Sequence, residues 1–185
     1  MKNRRANVSS LCVLRLSAIG DVCHTTAIVQ AIQAANPGVA ITWIIGSVEL
    51  KLVGDIPGIR FVVFDKRKGL KAYYAVYREL RALPPFDILL QMQTSLRANL
   101  LGLLVAARRK IGFPRSKSKE LHGLVVRERV QTDDSFHILD VLRAFAYAVD
   151  VPPFKPEWDI PIPPVARTEA GAVMSRSTRF VLIAP

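Results

Sequence analysis

Asp21, His24, Thr25 and Thr26 place four side chains that can hold or move a proton within six residues, directly after a single glycine, Gly20. An aspartate at the start of a helix is kept ionised by the helix dipole and suits a general base that takes the proton of an attacking hydroxyl. In the same position it also serves as a plain helix cap, worth about 1 kcal/mol. The residues alone leave both roles open. A phosphate-binding turn fits less well, because such turns need several glycines so that bare amides can reach the anion. GxGxxG and GxxxxGK[ST] are both absent, and a carboxylate follows the one glycine. His24 lies three residues after Asp21 and so shares its helix face, where it can orient the carboxylate, touch a ligand or cap the helix.

The elements around this cluster follow from hydrophobic pattern. Leu11–Leu16 is an apolar run, Ser17–Val22 a short polar loop, and Cys23–Ala35 an amphipathic stretch, which together read as strand, turn and helix. Asn36-Pro37-Gly38 stops the helix. Strands are expected over Val39–Ile45, Arg60–Phe64, Phe86–Met92 and Lys110–Phe113. Helices are expected within Gly46–Pro57 and over Lys71–Leu83, Thr94–Arg109 and Ser135–Val149, the last with Asp133, Asp134 or Ser135 as its cap. Ser116–Val130 carries no clear pattern. Strand–helix alternation of this kind implies an α/β fold with a doubly wound, mostly parallel sheet. In such sheets ligands bind at the carboxyl ends of strands, where Asp21 falls.

Pro152–Pro164 contains six prolines and reads as a stiff, extended linker. A short helical stretch follows it, and then the apolar strand Arg179–Ala184. The expected organisation is therefore a domain over residues 1–151, a linker with a short helix over 152–178, and over 179–185 the first strand of a second α/β domain.

The net charge of +11 is localised: residues 60–129 hold 16 Lys/Arg against 5 Asp/Glu, and the rest of the chain holds 10 of each. Clustering of this kind points to an anionic partner or surface. The cysteines Cys12 and Cys23, with no secretory signal in view, read as reduced thiols of a cytoplasmic protein. The longest apolar stretch, Leu100–Ala107, is too short to span a bilayer. His122 and His137 are isolated and no His/Cys/Asp cluster has metal-ligand spacing, so no metal is expected. Trp43 reads as a core residue and Trp158 as an anchor of the linker.

The segment LRLSAIGDVCHTTAIVQAI resembles the N-terminal signature of the family 9 glycosyltransferases, the bacterial heptosyltransferases of the lipopolysaccharide inner core. Arg15, Ser17, Ala18, Ile19, Gly20, Asp21, Val22, His24 and Thr25 supply the pattern in order, with Ala18 where many members have Ser. The resemblance implies a Rossmann-like, N-terminal acceptor-binding domain of a two-domain GT-B enzyme. It implies an inverting transfer of heptose from ADP-heptose to the Kdo/heptose inner core, with Asp21 as the base. Ser17, Gly20 and His24 would contact the acceptor. So would the basic group Lys66, Arg67, Lys68 and Lys71, which in the family faces the carboxylates and phosphates of Kdo–lipid A. Asp87, Gln93 and Arg97 match a further family pattern, from which Gln93 and Arg97 are taken as acceptor contacts and Asp87 as structural. The nucleotide-sugar donor would bind the second domain, so the 185-residue chain alone is expected to lack the donor site and to be inactive, with no other cofactor implied. A lipid acceptor implies peripheral contact with the cytoplasmic face of the inner membrane.

Two other readings remain open. A pI near 10.2 permits a nucleic-acid-binding module, against which stands the lack of an RNP-like or helix-turn-helix signature. An inactive remnant that binds anionic glycolipid without turnover is the other.

Overall fold

The computed structural model describes residues 8–118, 121–132 and 137–175. Six strands form one sheet: β1 (Ser10–Leu14), β2 (Ala40–Gly46), β3 (Ile59–Phe64), β4 (Phe86–Gln91), β5 (Ala107–Gly112) and β6 (Glu128–Arg129). Their spatial order is β3-β2-β1-β4-β5-β6, with every pairing parallel. The chain winds outward from β1 to β3, returns to lay β4 beside β1, and winds outward again. The strand order therefore reverses between β1 and β4, and this is where an open α/β sheet leaves a crevice beyond its strand ends.

The central strands are largely apolar because both faces are covered. Leu11, Cys12, Val13 and Leu14 of β1 are all fully buried. On one face Leu11, Val13, Trp43 and Leu90 pack under α1 (Ile19–Ala35) and α6 (Ile138–Tyr147), through Val22, Ile28, Ile32, Val141 and Phe145. On the other, Cys12, Leu14, Ile44 and Leu89 pack under α3 (Leu70–Arg81) and α4 (Leu96–Leu104), through Val76, Leu80, Ala98 and Leu101. Each buried Leu, Ile or Phe in these layers contributes roughly 2 kcal/mol of transfer free energy. The doubly wound α/β sheet expected from the alternating pattern is present.

Several elements depart from the expected bounds. α1 opens at Ile19, so Gly20 and Asp21 lie in its first turn rather than in a preceding loop. Its N-cap is Ala18, with no side-chain cap bond, and the Ser17–Ala18 peptide is cis. The helix expected to reach Arg109 ends at Leu104, because residues 107–109 are drawn into β5 by pairing with β4, Phe86 opposite Ala107 and Ile88 opposite Arg109. The patternless stretch resolves into a 3-10 turn (Arg115–Lys117), α5 (His122–Val125) and the two-residue β6. The N-cap of α6 is His137, whose Nδ1 accepts the Leu139 N–H at 3.3 Å; the expected caps at 133–135 lie outside the described residues.

A buried polar network closes the gap between β4, α4 and α5. Gln91 Nε2 donates to the Ala98 carbonyl and to Asn99 Oδ1. His122 Nε2 accepts the Phe113 N–H at 3.1 Å, which leaves its proton on Nδ1, 3.0 Å from Asn99 Oδ1. Burial, with Arg129 nearby, pulls His122 down from 6.5 to about 4, so the ring is neutral near pH 7. A Cβ at Gly112 would stand 2.5 Å from His122 Nε2, which is why this strand ends in glycine.

After α6 the chain runs without regular structure through residues 152–163 and then forms α7 (Pro164–Met174), which buries no residue. The extended run is docked rather than loose. Phe154 packs on the core, Trp158 Nε1 donates to the Cys23 carbonyl at 2.9 Å, and Gln30 exchanges hydrogen bonds with the Asp159 backbone. The strand expected over 179–184 lies outside the described residues.

Candidate active site

The crevice at the switch point is built from the ends of β1 and β4. Beyond Leu14 the chain continues as Arg15, Leu16 and Ser17, still tied to its neighbours. Met92 N–H donates to Leu14 O at 3.0 Å, and Gly46 N–H to Leu16 O at 3.1 Å. Gln93 joins the two strand ends. Its Oε1 accepts the Leu16 N–H at 2.7 Å and the Ser17 N–H at 3.4 Å, while its Nε2 donates to Ser17 Oγ at 3.4 Å and Ser95 Oγ at 3.2 Å.

Arg15 is 7% exposed, at the end of a strand otherwise made of apolar residues. A buried cation needs a carboxylate and hydrogen-bond acceptors to offset its desolvation. It finds both: one guanidinium nitrogen donates to the Met92 carbonyl and another pairs with Asp21 Oδ2. Burial pulls the Arg15 pKa down and the Asp21 carboxylate pulls it back up; so deep a pKa reserve keeps a guanidinium charged. Asp21, third residue of α1, reaches this pair from the helix start, where the dipole favours a negative charge. Its carboxylate stays 35% exposed. Asp21 is therefore held from behind by a buried cation and open in front.

Two adjoining clefts meet here. One, of roughly 400 Å³, is walled by Arg15, Ser17, Asp21, Gln93, Ser95, Phe113 and Lys117. The other, of roughly 170 Å³, is walled by Ser17, Glu49, Lys66, Gln93, Ser95 and Arg97. Ser17, Gln93 and Ser95 form the partition between them. A larger groove of about 900 Å³ runs between α1 and the 151–159 segment, lined by small and apolar residues with Gln30, Gln33 and three charged side chains among them. It lies away from the ion-paired carboxylate, so the switch-point clefts are the better candidate for chemistry.

The structure thus brings Asp21, Ser17, Gln93, Lys66 and Arg97 together. Gly20, His24, Arg67, Lys68 and Lys71 line neither cleft. Arg67 forms a two-pronged pair with Asp65, with both contacts at 2.9 Å. Lys68, on the 3-10 turn before α3, and Lys71, in the first turn of α3, are exposed. The His24 ring sits edge-on to His137 and Trp158, with centroids 6.0 and 6.4 Å away. Thr25 and Thr26 are fully buried and donate to the carbonyls of Asp21 and Val22 one turn back, so they serve the helix. Asp87 lies at the opposite end of the sheet, where it accepts from Ser9 and Ser10. Arg15, Ser95 and Lys117 line the clefts without having been singled out as site residues. For Arg15 the available signal was a cation inside a buried strand. Among the described residues no group of His, Cys, Asp and Glu could hold a metal ion.

Comparison with known proteins agrees with the architecture. The profile of glycosyltransferase family 9 (heptosyltransferase) matches residues 73–185. The lipopolysaccharide core heptosyltransferase OpsX of Haemophilus influenzae is 40% identical over 176 residues, covering 95% of this chain and 50% of OpsX. Among solved structures, the family 9 glycosyltransferase of Veillonella parvula superposes with a TM-score of 0.77 at 21% identity, over 92% of this chain and 51% of that one. The E. coli heptosyltransferase WaaC with ADP gives a TM-score of 0.71 at 18% identity, over 82% and 51%. The chain spans about half the length of these relatives. The strength and extent of the OpsX match, with the profile match over more than half of the sequence, place the chain in glycosyltransferase family 9.

Proposed function

We propose that the protein transfers heptose from ADP-heptose to the Kdo/heptose inner core of lipopolysaccharide, and that this chain carries the acceptor side of the reaction. The observation that carries the reading is the Asp21 carboxylate, paired behind to Arg15 and open in front to a cleft at the switch point of the sheet. In this reading an acceptor hydroxyl lies against Asp21. As its oxygen attacks the anomeric carbon, Asp21 takes the proton, the bond from that carbon to the nucleotide phosphate breaks, and ADP leaves with the electron pair. Attack from the face opposite the leaving group inverts the anomeric centre. Arg15 is the positioning residue: it fixes the carboxylate without occupying the face that meets the hydroxyl.

Ser17 and Gln93, which line both clefts, would contact the acceptor near the reacting hydroxyl, and Lys66 and Arg97, in the adjoining cleft, would bind its anionic groups. Lys68, Lys71 and Arg67 would meet charges farther out on the acceptor, with Gly20 and His24 supporting the first turn of α1. The donor would bind a second domain that begins near residue 179, with residues 1–151 as the acceptor domain and 152–178 as the linker. Work at the cytoplasmic face of the inner membrane belongs to the same proposal. The resemblance of the structure to the E. coli heptosyltransferase WaaC, solved with ADP and with ADP-2-deoxy-2-fluoro heptose, supports the donor class.

The test is heptose transfer from ADP-heptose to deacylated Kdo–lipid A by the product of the full reading frame and by its Asp21→Ala variant. Loss of the base is expected to slow transfer about a hundredfold or more, with the fold unchanged by circular dichroism. Equal rates would return Asp21 to a helix-terminal role, and no transfer by either protein would favour the inactive-remnant reading.

A further inference from the structure

The helix α3 carries two apolar stripes, and among the described residues only one of them faces protein. Ala72, Val76 and Leu80 are buried against the sheet. Leu70, Tyr74 and Tyr77, spaced i, i+4 and i+7, form a second stripe turned well away from the first. Leu70 is 86% exposed, Tyr74 63% and Tyr77 39%. A helix that met only water on this side would carry polar residues there. The stripe is flanked by cations. Residues 66–81 contain six Lys/Arg and one acid, Glu79. Lys66, Lys68, Lys71 and Arg78 make no ion pair among the described residues, and Arg81 lies over the Tyr77 ring at 5.9 Å.

We propose that this side of α3 is the surface by which the protein docks on an anionic phospholipid bilayer. The chemistry fits that occupant on both counts. Leu and Tyr side chains enter the boundary between headgroups and acyl chains, and Lys and Arg bury their stems while their charges meet lipid phosphates. A nucleic acid would use the cations but would leave Leu70 without a role. The patch also adjoins the smaller cleft, because Lys66 belongs to both. A ligand held in the membrane could then pass from the lipid surface into the cleft without leaving the protein. The purpose of the docking rests on the glycolipid-acceptor reading above; its measurement does not.

The experiment is co-sedimentation of the protein with vesicles of phosphatidylethanolamine and phosphatidylglycerol, and with pure phosphatidylcholine vesicles, in the absence of donor and acceptor. Leu70→Ser with Tyr74→Ser, and separately Arg78→Gln, leave every cleft residue in place. Binding is expected on the anionic vesicles only. Arg78→Gln should weaken it about fivefold, the value of one cation near an anionic surface, and the double variant more than tenfold. Transfer to deacylated acceptor should be unchanged in both, which separates failure of docking from failure of the catalytic reading. Equal vesicle binding by the double variant would overturn the proposal. So would absence of binding by the wild type, or binding that a random oligonucleotide abolishes while the double variant competes as well as the wild type.

Discussion

The two ends of the β1–β4 seam each hold an aspartate, and the two are used in opposite ways. At the amino end, Asp87 Oδ2 accepts the Ser9 N–H at 2.9 Å, the Ser9 hydroxyl at 2.8 Å and the Ser10 N–H at 3.1 Å, and Arg108 approaches the other oxygen at 3.3 Å. The Ser9 and Ser10 donors, helped by Arg108, hold this carboxyl down at about 2. At the carboxyl end, the job of joining the strands falls to a neutral amide, Gln93. The aspartate there, Asp21, comes in from a helix and has the Arg15 pair behind it and a cleft in front. A carboxylate offers about four lone-pair positions. Asp87 spends most of its own on the protein, and Asp21 keeps some for a ligand. The residue type is the same in the two places, and the number of donors supplied separates a fastener from a candidate base.

Below the hundredfold loss of transfer expected for Asp21→Ala, the next largest effect is acid sensitivity at the site end. The fold holds His122 neutral, with a pKa near 4 against an ordinary 6.5. Above 6.5 its contribution is complete. As pH falls through 6.5 the unfolded chain takes up the proton first, so stability declines until about pH 4, by on the order of 3 kcal/mol in all. Urea midpoints taken across this range should show the decline, and His122→Gln should flatten it. Gln93→Ala comes next. It strips the Leu16 N–H of its acceptor, an expected loss of about 1–2 kcal/mol with a comparable drop in transfer, read from thermal melts and initial rates. The smallest effect is at the amino end. Asp87 is held ionised, so its contribution is present above its ordinary 3.8 and is lost as pH falls towards 2. Asp65, held low by Arg67, shares that window, and subtracting an Asp87→Asn profile isolates the Asp87 share. The His122 and Asp87 windows do not overlap, so one titration reads the two ends separately.

Strands β1, β2 and β4 were legible because burial on both faces leaves long apolar or β-branched runs, as in Leu11–Leu14 and Ile41–Ile45, and the half-buried edge strand β3 by its own β-branched and aromatic run, Phe61–Phe64. β5 was legible only in its second half, Lys110–Gly112, since Arg108 and Arg109 reach solvent near the sheet edge and the apolar stretch before them reads as a helix running on to Arg109. α5 and β6 are too short, at four and two residues, to show a period. In the site, the Gly20-Asp21 turn and Gln93 stood out by position. The role of Arg15 did not, because sequence shows a charge interrupting a strand but not the carboxylate that returns to meet it. The His122–Asn99–Gln91 network was hidden for the same reason: its partners lie 8 and 23 residues apart and meet only once the sheet has formed.

The contrast between the two aspartates is tested most directly by making the same change at each. Asp21→Asn and Asp87→Asn are near-isosteric and remove one charge apiece. Transfer rate and melting temperature would be measured side by side on the full reading frame. The account predicts that both variants melt lower, Asp21→Asn because buried Arg15 loses its carboxylate, but that only Asp21→Asn loses transfer, about a hundredfold, whereas Asp87→Asn transfers at the normal rate wherever it is folded. Transfer that survives Asp21→Asn, or that falls equally in the two variants, would contradict it.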